Sequence, residues 1–460
     1  MYQIDPGVPL VATETMRAAE AATIAAGVPA ITLMERAAAG AARAILAYRP
    51  ARRATVLCGT GNNGGDGYGI ALALAAAGVD VTVAAAGPPR AATAAAMAAR
   101  WTGPVVPLAE APPAPLIIDA LFGIGLDRPL DPAHQTVLDR LRGQGHVVAI
   151  DIASGLQADR GEALGRPLPA ELTICFGAVK PGHVLGDGPA LSGRLVLVDI
   201  GVAVPAAMAL VARPRLVGPP RDTHKYGRGW VLMVEGEAEH GGASGLAALA
   251  ALRTGAGLVT IAGEGDASPA LALMRRSDDE AAALLNDRRL GSVVIGPGML
   301  ADARARGWLK RLTWAGKPLV LDAGALRLLA EGPIGAPSVL TPHEGEFEQM
   351  FGPIGPDRIA AVQKAARVTD AVVLLKGPST IIAAPDGRVA INTHNAPWLA
   401  TAGSGDVLAG MIAALLAQGQ PLFEAAGAAA WLHGDAGLRL GPGRIADDLV
   451  AILPEVLAGL

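Results

Sequence analysis

Short, continuous apolar runs recur along the whole chain and alternate with helix-like stretches. In the first half they are ATVLCG (Ala54–Gly59), VDVTVAAA (Val79–Ala86), LIIDALFG (Leu116–Gly123), HVVAIDIASG (His146–Gly155), LTICFGA (Leu172–Ala178) and RLVLVDIG (Arg194–Gly201). Runs apolar on both faces and spaced by helices are the pattern of a mostly parallel sheet covered on both sides. Helical sequence comes first: Thr13 and Thr15 can cap a run through Met16, and Thr32 precedes LMERAAAGAARAIL. From Val202 to Gly229 the chain is rich in Pro and Arg and poor in periodicity, and the domain boundary is expected at about 210–220. The alternation then restarts with GWVLMVEG, LVTIAG, SVVIGPG, PLVLDAG, SVLTPHEGEF, AVVLLKG and a long apolar helix from Asp406. The expected fold class is therefore α/β, with two three-layer αβα domains in series, 1–212 and 213–460.

Composition excludes several classes. With 51% hydrophobic and 17% charged residues over 460 positions, the chain is not disordered. A net charge of −4 argues against a nucleic-acid protein built on a basic surface. No uncharged apolar run reaches the ~18 residues of a membrane span. The N-terminus, MYQIDPG, has neither the basic region nor the apolar core of a secretion signal. Cys58 and Cys175 lie far apart at the ends of apolar runs, which suits structural thiols in a reducing cytoplasm. The histidines show no HxxxH or HExxH spacing, so no zinc site is expected.

In open α/β sheets the ligand binds beyond the carboxyl ends of the strands. The first run of the chain ends in CGTGNNGGDGYG (Cys58–Gly69), read as a glycine-rich loop with exposed backbone N–H groups leading into a helix. Such a loop can cradle phosphate, and the missing GK[ST] excludes a Walker A loop. Two further runs end in IDALFGIGLDRPL (Ile118–Leu130) and IDIASG (Ile150–Gly155). Asn63, Asp119, Asp151 and Ser154 are expected to meet in one crevice, where hard oxygen donors suit an alkali or alkaline-earth ion better than zinc.

GNNGGDG, DALFGIGLDRP and DIASG together resemble the NAD(P)H-hydrate epimerase domain, over about residues 10–205. The resemblance implies a Rossmann-like fold and inversion of C6 in the hydrated nicotinamide ring. It implies that Asn62, Asn63, Gly64, Gly65, Asp66, Gly123, Ile124, Gly125, Leu126, Asp127, Arg128, Pro129 and Asp151 contact the hydrated dinucleotide. It also implies that Asn63, Asp119 and Ser154 bind potassium (K+). Inverting that carbon needs proton transfers about the hydroxyl, or loss and return of water through an iminium, and Asp151 is the catalytic candidate, as acid/base or as stabiliser of the cation.

In the second half, LATAGSGDVLAGMIAALLAQG (Leu399–Gly419) places a small-residue turn before an apolar helix, with Asp406 at its start. The N–H groups of Gly403, Ser404, Gly405 and Asp406 can hold an anion, and the helix dipole favours an ionised Asp406. A carboxylate beside an anion hole suits activation of a hydroxyl for phosphoryl transfer. VLLKGPSTIIA places Lys376 and Thr380 where they could reach nucleotide phosphates.

KYGRG, GASGLAALAALRTGAGLVT, IGPG, LDAGAL, LTPHEGEF, LKGPST and AGSGDVLAG together resemble the NAD(P)H-hydrate dehydratase branch of the ribokinase-like superfamily. The resemblance implies ADP as co-substrate and a nucleotide held by Lys376, Gly377, Pro378, Ser379, Thr380, Gly403, Ser404 and Gly405. It places Ala243, Gly298, His343 and the catalytic Asp406 at the hydrated substrate, with Mg2+ (Mg²⁺) neutralising phosphates. Where the family usually has Gly-Gly-Ser after the domain's first strand, this chain has Glu235 and Glu237, which would repel a polyanion if they pointed inward. The reading is a bifunctional repair enzyme acting on NADHX and NADPHX, as a homo-oligomer, without nucleic-acid or membrane partners. The alternatives are a hydroxymethylpyrimidine- or thiazole-type kinase, which leaves the first half unexplained, and a non-catalytic binding scaffold, which retained Asn63, Asp66, Asp119 and Asp151 argue against.

Overall fold

A computed structural model describes residues 8–265, 270–329 and 333–460, so the N-terminal MYQIDPG lies outside the described residues. The chain divides into two compact units, residues 1–207 and 208–460. Among the described residues no helix is long and apolar enough to cross a membrane.

The first unit holds strands β1 (Arg53–Cys58), β2 (Asp80–Ala85), β3 (Val105–Pro107), β4 (Leu116–Ala120), β5 (His146–Ile150), β6 (Leu172–Phe176) and β7 (Arg194–Val198). They lie parallel in the order β3-β2-β1-β4-β5-β6-β7. The order reverses at β1, so a crevice opens between the carboxyl ends of β1 and β4. The pleat sorts alternate residues to opposite faces. Val56, Cys58, Ile118 and Ala120 join a core with the helices Ala30–Tyr48 and Asn62–Ala76, whereas Leu57 and Ile117 join a second core with the helix Pro132–Leu141. This is a Rossmann-like αβα unit.

Two local expectations change. The first helix is Thr13–Ala25 with Ala12 as N-cap, so neither Thr13 nor Thr15 caps it. Asp159 does that work from across the chain, accepting from the Thr13 N–H at 2.7 Å. The glycine-rich segment is also helix from Asn62 onward, not a loop. Its glycines are needed for close approach. A Cβ on Gly64 would sit 1.9 Å from the Gly59 carbonyl oxygen, and one on Gly67 would sit 2.9 Å from Cys58 Sγ. Gly64→Ala should therefore destabilise the first unit by about 2 kcal/mol, although alanine is the better helix former. Gly61→Ala, with nothing within 4 Å of its Cβ, should be near neutral. Calorimetric melting checks both, with roughly 4–8 °C expected for Gly64→Ala.

The second unit holds β8 (Met208–Leu210), β9 (Trp230–Val234), β10 (Leu258–Ala262), β11 (Met274–Arg276), β12 (Ser292–Ile295), β13 (Leu319–Leu321), β14 (Ser338–Leu340), β15 (Val372–Leu375), β16 (Thr380–Ala383) and β17 (Val389–Asn392). Their order is β8-β17-β16-β15-β14-β13-β12-β9-β10-β11. Pairing is parallel from β15 to β11, with an antiparallel meander over β15-β16-β17. Val231, Met233, Val294, Val320 and Val339 pack against the helices Gly241–Arg253, Ser404–Ala417 and Leu422–Leu440. Trp308 and Val362 are buried from the helices Ala303–Ala315 and Arg358–Thr369. The strand β8 falls inside the segment read as aperiodic. The loops after β9, β12, β13 and β14 bring their polar residues to one sheet edge.

Candidate active sites

In the first unit a cleft of about 990 Å³ lies at the carboxyl edge of the sheet. Asn62, Asn63, Asp66, Gly123, Ile124, Gly125, Leu126, Asp127, Arg128 and Asp151 line it. Pro129 is exposed outside that lining, and Gly64 and Gly65 are buried in helix packing. Sequence reading missed Arg17, Glu20 and Arg90, which also line the cleft and come from distant segments. The arginines give it cationic partners for a dinucleotide's phosphates.

Beneath the cleft Asp119 is fully buried. The Ser154 hydroxyl donates to its Oδ1 at 2.6 Å and the Ser154 N–H to its Oδ2 at 2.8 Å. Burial pushes the Asp119 pKa up, against the pull of those hydrogen bonds. Asn63 stands beside Gly123, and its buried Oδ1 and Nδ2 have no hydrogen-bond partner. An orphaned amide oxygen, a buried carboxylate and a hydroxyl at one sheet edge are donor types suited to a hard cation.

Asp151 occupies the left-handed region at φ 64°, unusual for a residue with a side chain. Its Oδ1 accepts from Lys180 Nζ at 2.6 Å, and that lysine is 1% exposed. His183 Nε2 donates to the Asp151 carbonyl at 2.8 Å. Burial, then Lys180, lowers the His183 pKa to about 4, so the ring is neutral at pH 7. Asp66 moves the other way: burial, then Asp151 and Glu20, raise its pKa well above the carboxylate range. Glu20 is raised by burial and Asp151. The cleft thus sets a carboxylate bonded to an ammonium close to carboxyl groups whose pKa values are raised, an arrangement that pushes the acid–base properties of neighbouring carboxyls apart. Lys180 was missed in the sequence, although KPGH follows the β6 strand as a visible signal. Cys58 and Cys175 are buried and free, with burial raising both thiols.

In the second unit, Lys376 continues β15 and donates its backbone N–H to Pro342 O at 2.8 Å, which sets it beside His343. Its Nζ lies 2.9 Å from Asp322 Oδ1 and 3.9 Å from Glu346 Oε2. Burial lowers the Lys376 pKa, but Asp322, Glu346 and Asp406 outweigh it and the net shift is upward. A Cβ on Gly405 would meet Lys376 Nζ at 3.2 Å, so the bare backbone of the Ser404–Ala417 helix start faces the ammonium. Asp406 sits one residue further on. The helix N-terminus alone would hold it ionised well into acid. Burial, then Asp322, work against that, and its pKa is pushed up to about 6 despite Lys376. Asp322 and Glu346 lay inside quoted motifs, but their part in this cluster was not read.

The other expected residues surround this cluster. Gly403 starts the helix at φ 83°, and the buried Ser404 Oγ lies 3.1 Å from His433 Nε2. Gly377 and Pro378 offer their carbonyls to Asn395 Nδ2 at 3.2 Å each. Thr380 Oγ1 donates to Gly377 O at 3.3 Å, and Ser379 shares that turn. His343 caps the helix Glu344–Phe351, its Nδ1 accepting from the Glu346 N–H at 3.2 Å, with the ring largely exposed. Ala243 lies in the first turn of the Gly241–Arg253 helix. The Ser244 hydroxyl donates to Pro297 O at 3.1 Å, and Glu237 N–H to Gly298 O at 3.0 Å, which gathers Ala243 and Gly298 at one cradle.

Glu235 does not present a free charge. Arg275 clamps it through two bonds of 2.8 and 2.5 Å and, as the main cause, lowers its pKa. The repulsion expected of Glu235 is therefore removed by its own partner. Arg275→Met should cost roughly 2–4 kcal/mol at pH 7 by stranding a buried carboxylate. Because the folded pKa is depressed, the pair's contribution is complete above the unfolded carboxylate pKa and fades as pH falls through the folded one. The stability gap between wild type and variant, read from urea unfolding, should narrow in acid.

A family model described as NAD(P)H-hydrate dehydratase matches residues 231–453, and one described as YjeF-related protein N-terminus matches residues 30–182. The bifunctional NAD(P)H-hydrate repair enzyme Nnr of Mycobacterium tuberculosis is 37% identical over 437 residues, covering 90% of each chain. The enzyme of the same name from Salinibacter ruber is 35% identical over 523 residues, covering 98% of this chain and 96% of its own. Among solved structures, the ADP/ATP-dependent NAD(P)H-hydrate dehydratase of Bacillus subtilis, co-crystallised with ATP/Mg²⁺, is 30% identical with a TM-score of 0.48, covering 53% of this chain and 94% of that one. By the identity and the extent of these matches, the chain belongs to the family of bifunctional NAD(P)H-hydrate repair enzymes.

Proposed function

We propose that the chain restores hydrated NADH and NADPH in two steps, one in each unit. The first unit interconverts the R and S forms at C6, and the second dehydrates the S form using ADP. What carries this reading is a carboxylate-bearing strand-edge site in each unit of a chain that matches bifunctional relatives over nine tenths of their length.

In the first unit, Asn62, Asn63, Asp66, Asp151 and the segment from Gly123 through Arg128 hold the hydrated dinucleotide. Gly64, Gly65 and Pro129 shape its surroundings. Asp151 is the group that exchanges a proton with the C6 hydroxyl. Asn63 Oδ1, the Asp119 carboxylate and Ser154 Oγ would hold a potassium ion, and the partnerless Asn63 amide supports that fit. When bound, the ion supplies positive charge against the buried Asp119.

In the second unit, Ala243, Gly298 and His343 border the hydrated ring. Lys376, Gly377, Pro378, Ser379 and Thr380, with the N–H groups of Gly403, Ser404 and Gly405, bind the nucleotide. Asp406 accepts the proton of the C6 hydroxyl as the hydroxyl oxygen attacks the terminal phosphoryl group of ADP. AMP leaves; the C6–O bond then breaks with its electron pair going to phosphate, C5 gives up a proton to the departing phosphate, and the C5–C6 double bond of the dihydronicotinamide is restored. Lys376 meets the charge that develops on the phosphoryl oxygens. No group of three His, Cys, Asp or Glu side chains among the described residues is arranged to hold a metal. Mg²⁺ would therefore come with the nucleotide phosphates, its usual partners, and no residue is assigned to it.

The test is incubation with mixed S and R NADHX, ADP, Mg²⁺ and K⁺, followed at the dihydronicotinamide absorbance. Full recovery of NADH is expected. Recovery from neither epimer overturns the reading.

A further inference from the structure

Lys180 lies behind the wall of the first cleft, where Asp151 and Phe176 face the cavity. Its Nζ donates to Asp151 Oδ1 at 2.6 Å and to Phe176 O at 3.0 Å, and its side chain is 1% exposed. A buried ion pair adds little net stability over an apolar filling of the same space. What this one adds is a fixed carboxylate. The backbone around it is equally constrained: Asp151 N–H donates to Ile174 O at 2.8 Å, and neutral His183 donates to Asp151 O at 2.8 Å while its Nδ1 accepts from the Lys180 N–H at 3.1 Å. Phe176 N–H adds a longer contact to Oδ1 at 3.4 Å. Every one of these bonds engages the backbone or Oδ1, and none takes Oδ2.

We propose that Lys180 is a positioning residue of the epimerase site, committing one Asp151 oxygen to its ammonium so that the other meets the C6 hydroxyl from a fixed point. Taking that proton lets the C6–N1 bond open, which makes C6 an aldehyde carbon and leaves the bond's electron pair on N1; N1 then re-forms the bond on the other face of the carbonyl and the proton returns to the oxygen, so the carboxylate ends each turnover as it began. The inference rests on the epimerase reading of this unit. The titratable groups facing Asp151 are Glu20 and Asp66 from two helices of the cleft and Cys175 and His183 from behind. Against these, Lys180 is the cation bonded to it.

The experiment compares full-length wild type, Lys180→Met and Lys180→Arg on purified R and S NADHX with ADP, Mg²⁺ and K⁺, with the folded fraction of each variant read from its melting curve. Lys180→Met should lower kcat for the R form about 100-fold per folded enzyme with its KM within about threefold. Turnover of the S form should not change. Lys180→Arg, which keeps the charge, should recover part of the rate. A loss of folded protein lowers the rate only in proportion to the folded fraction, so an R-form kcat per folded enzyme that is unchanged in Lys180→Met, or a loss that falls in KM and not in kcat, overturns the proposal. If wild type itself leaves the R form unconverted, it is the epimerase reading that fails.

Discussion

Asp406→Asn should lower the rate of S-hydrate dehydration by roughly 10²–10⁴-fold, about 3–5.5 kcal/mol of barrier. The variant keeps the shape of the side chain and removes only its capacity to accept a proton. Nucleotide binding, carried by Lys376 and the backbone of the Gly403–Gly405 turn, should change little, so the loss should fall in kcat and not in the KM for ADP. The R and S forms should still interconvert in the first unit, and unchanged nucleotide binding shows that the second unit is folded. The wild-type pH profile supplies the second measurement. Asp406 works as a base and its pKa is pushed up to about 6 by burial and by Asp322. The rate should fall about tenfold per unit below that value, since the protonated form cannot accept the hydroxyl proton. Asp322→Asn removes the carboxylate that raises Asp406 and also frees Lys376 to attract it. Both effects move the acid limb to lower pH. A limb that moves up, or that stays in Asp406→Asn with full activity, removes Asp406 from this role.

The fold was legible because parallel strands buried on both faces leave an unambiguous apolar signature, as at LIIDA and LTICF. Elements without that signature were missed. The strand Val105–Pro107 is short and largely exposed, and Met208–Leu210 pairs at one edge inside a Pro-rich segment. The motif residues were legible where strand ends carry them: Asn63, Asp119, Asp151 and Ser154 were expected in one crevice, and Asn63 and Asp151 line the cleft while Asp119 and Ser154 are bonded to each other. Glu20 and Arg17 were not legible, because they arrive from segments remote in sequence, whereas Lys180 stood in a visible KPGH after a strand and was passed over. Local reasoning also misassigned the glycines of Gly61–Gly67. Their number suggested an open anion loop, whereas the tight approach of Gly64 to Gly59 is a packing requirement that appears only once the helix lies on the sheet. Asp406 shows the same limit in electrostatics. A helix start is visible in sequence, but the carboxylates of Asp322 and Glu346, which act against it, are brought there by other strands.

Asp151→Asn separates activity from stability in the first unit. Recovery of NADH from a mixed pool should then stop at the S fraction, with enzymatic conversion of the R form slowed roughly 10²–10⁴-fold. The same substitution strands the Lys180 ammonium, 1% exposed, without its carboxylate. Leaving one member of a buried pair unpaired costs about 3–5 kcal/mol, so the first unit should also melt earlier. These effects have different cures. Asp151→Asn with Lys180→Met removes both charges and should regain much of the lost stability, with a coupling energy of at least 1 kcal/mol in a double-mutant cycle. It should regain no epimerase activity, because the proton acceptor is still missing. Recovery of both stability and R-form turnover in the double variant would show that Asp151 serves the fold and that another group exchanges the proton; Asp66, which shares the cleft, would be the first to test.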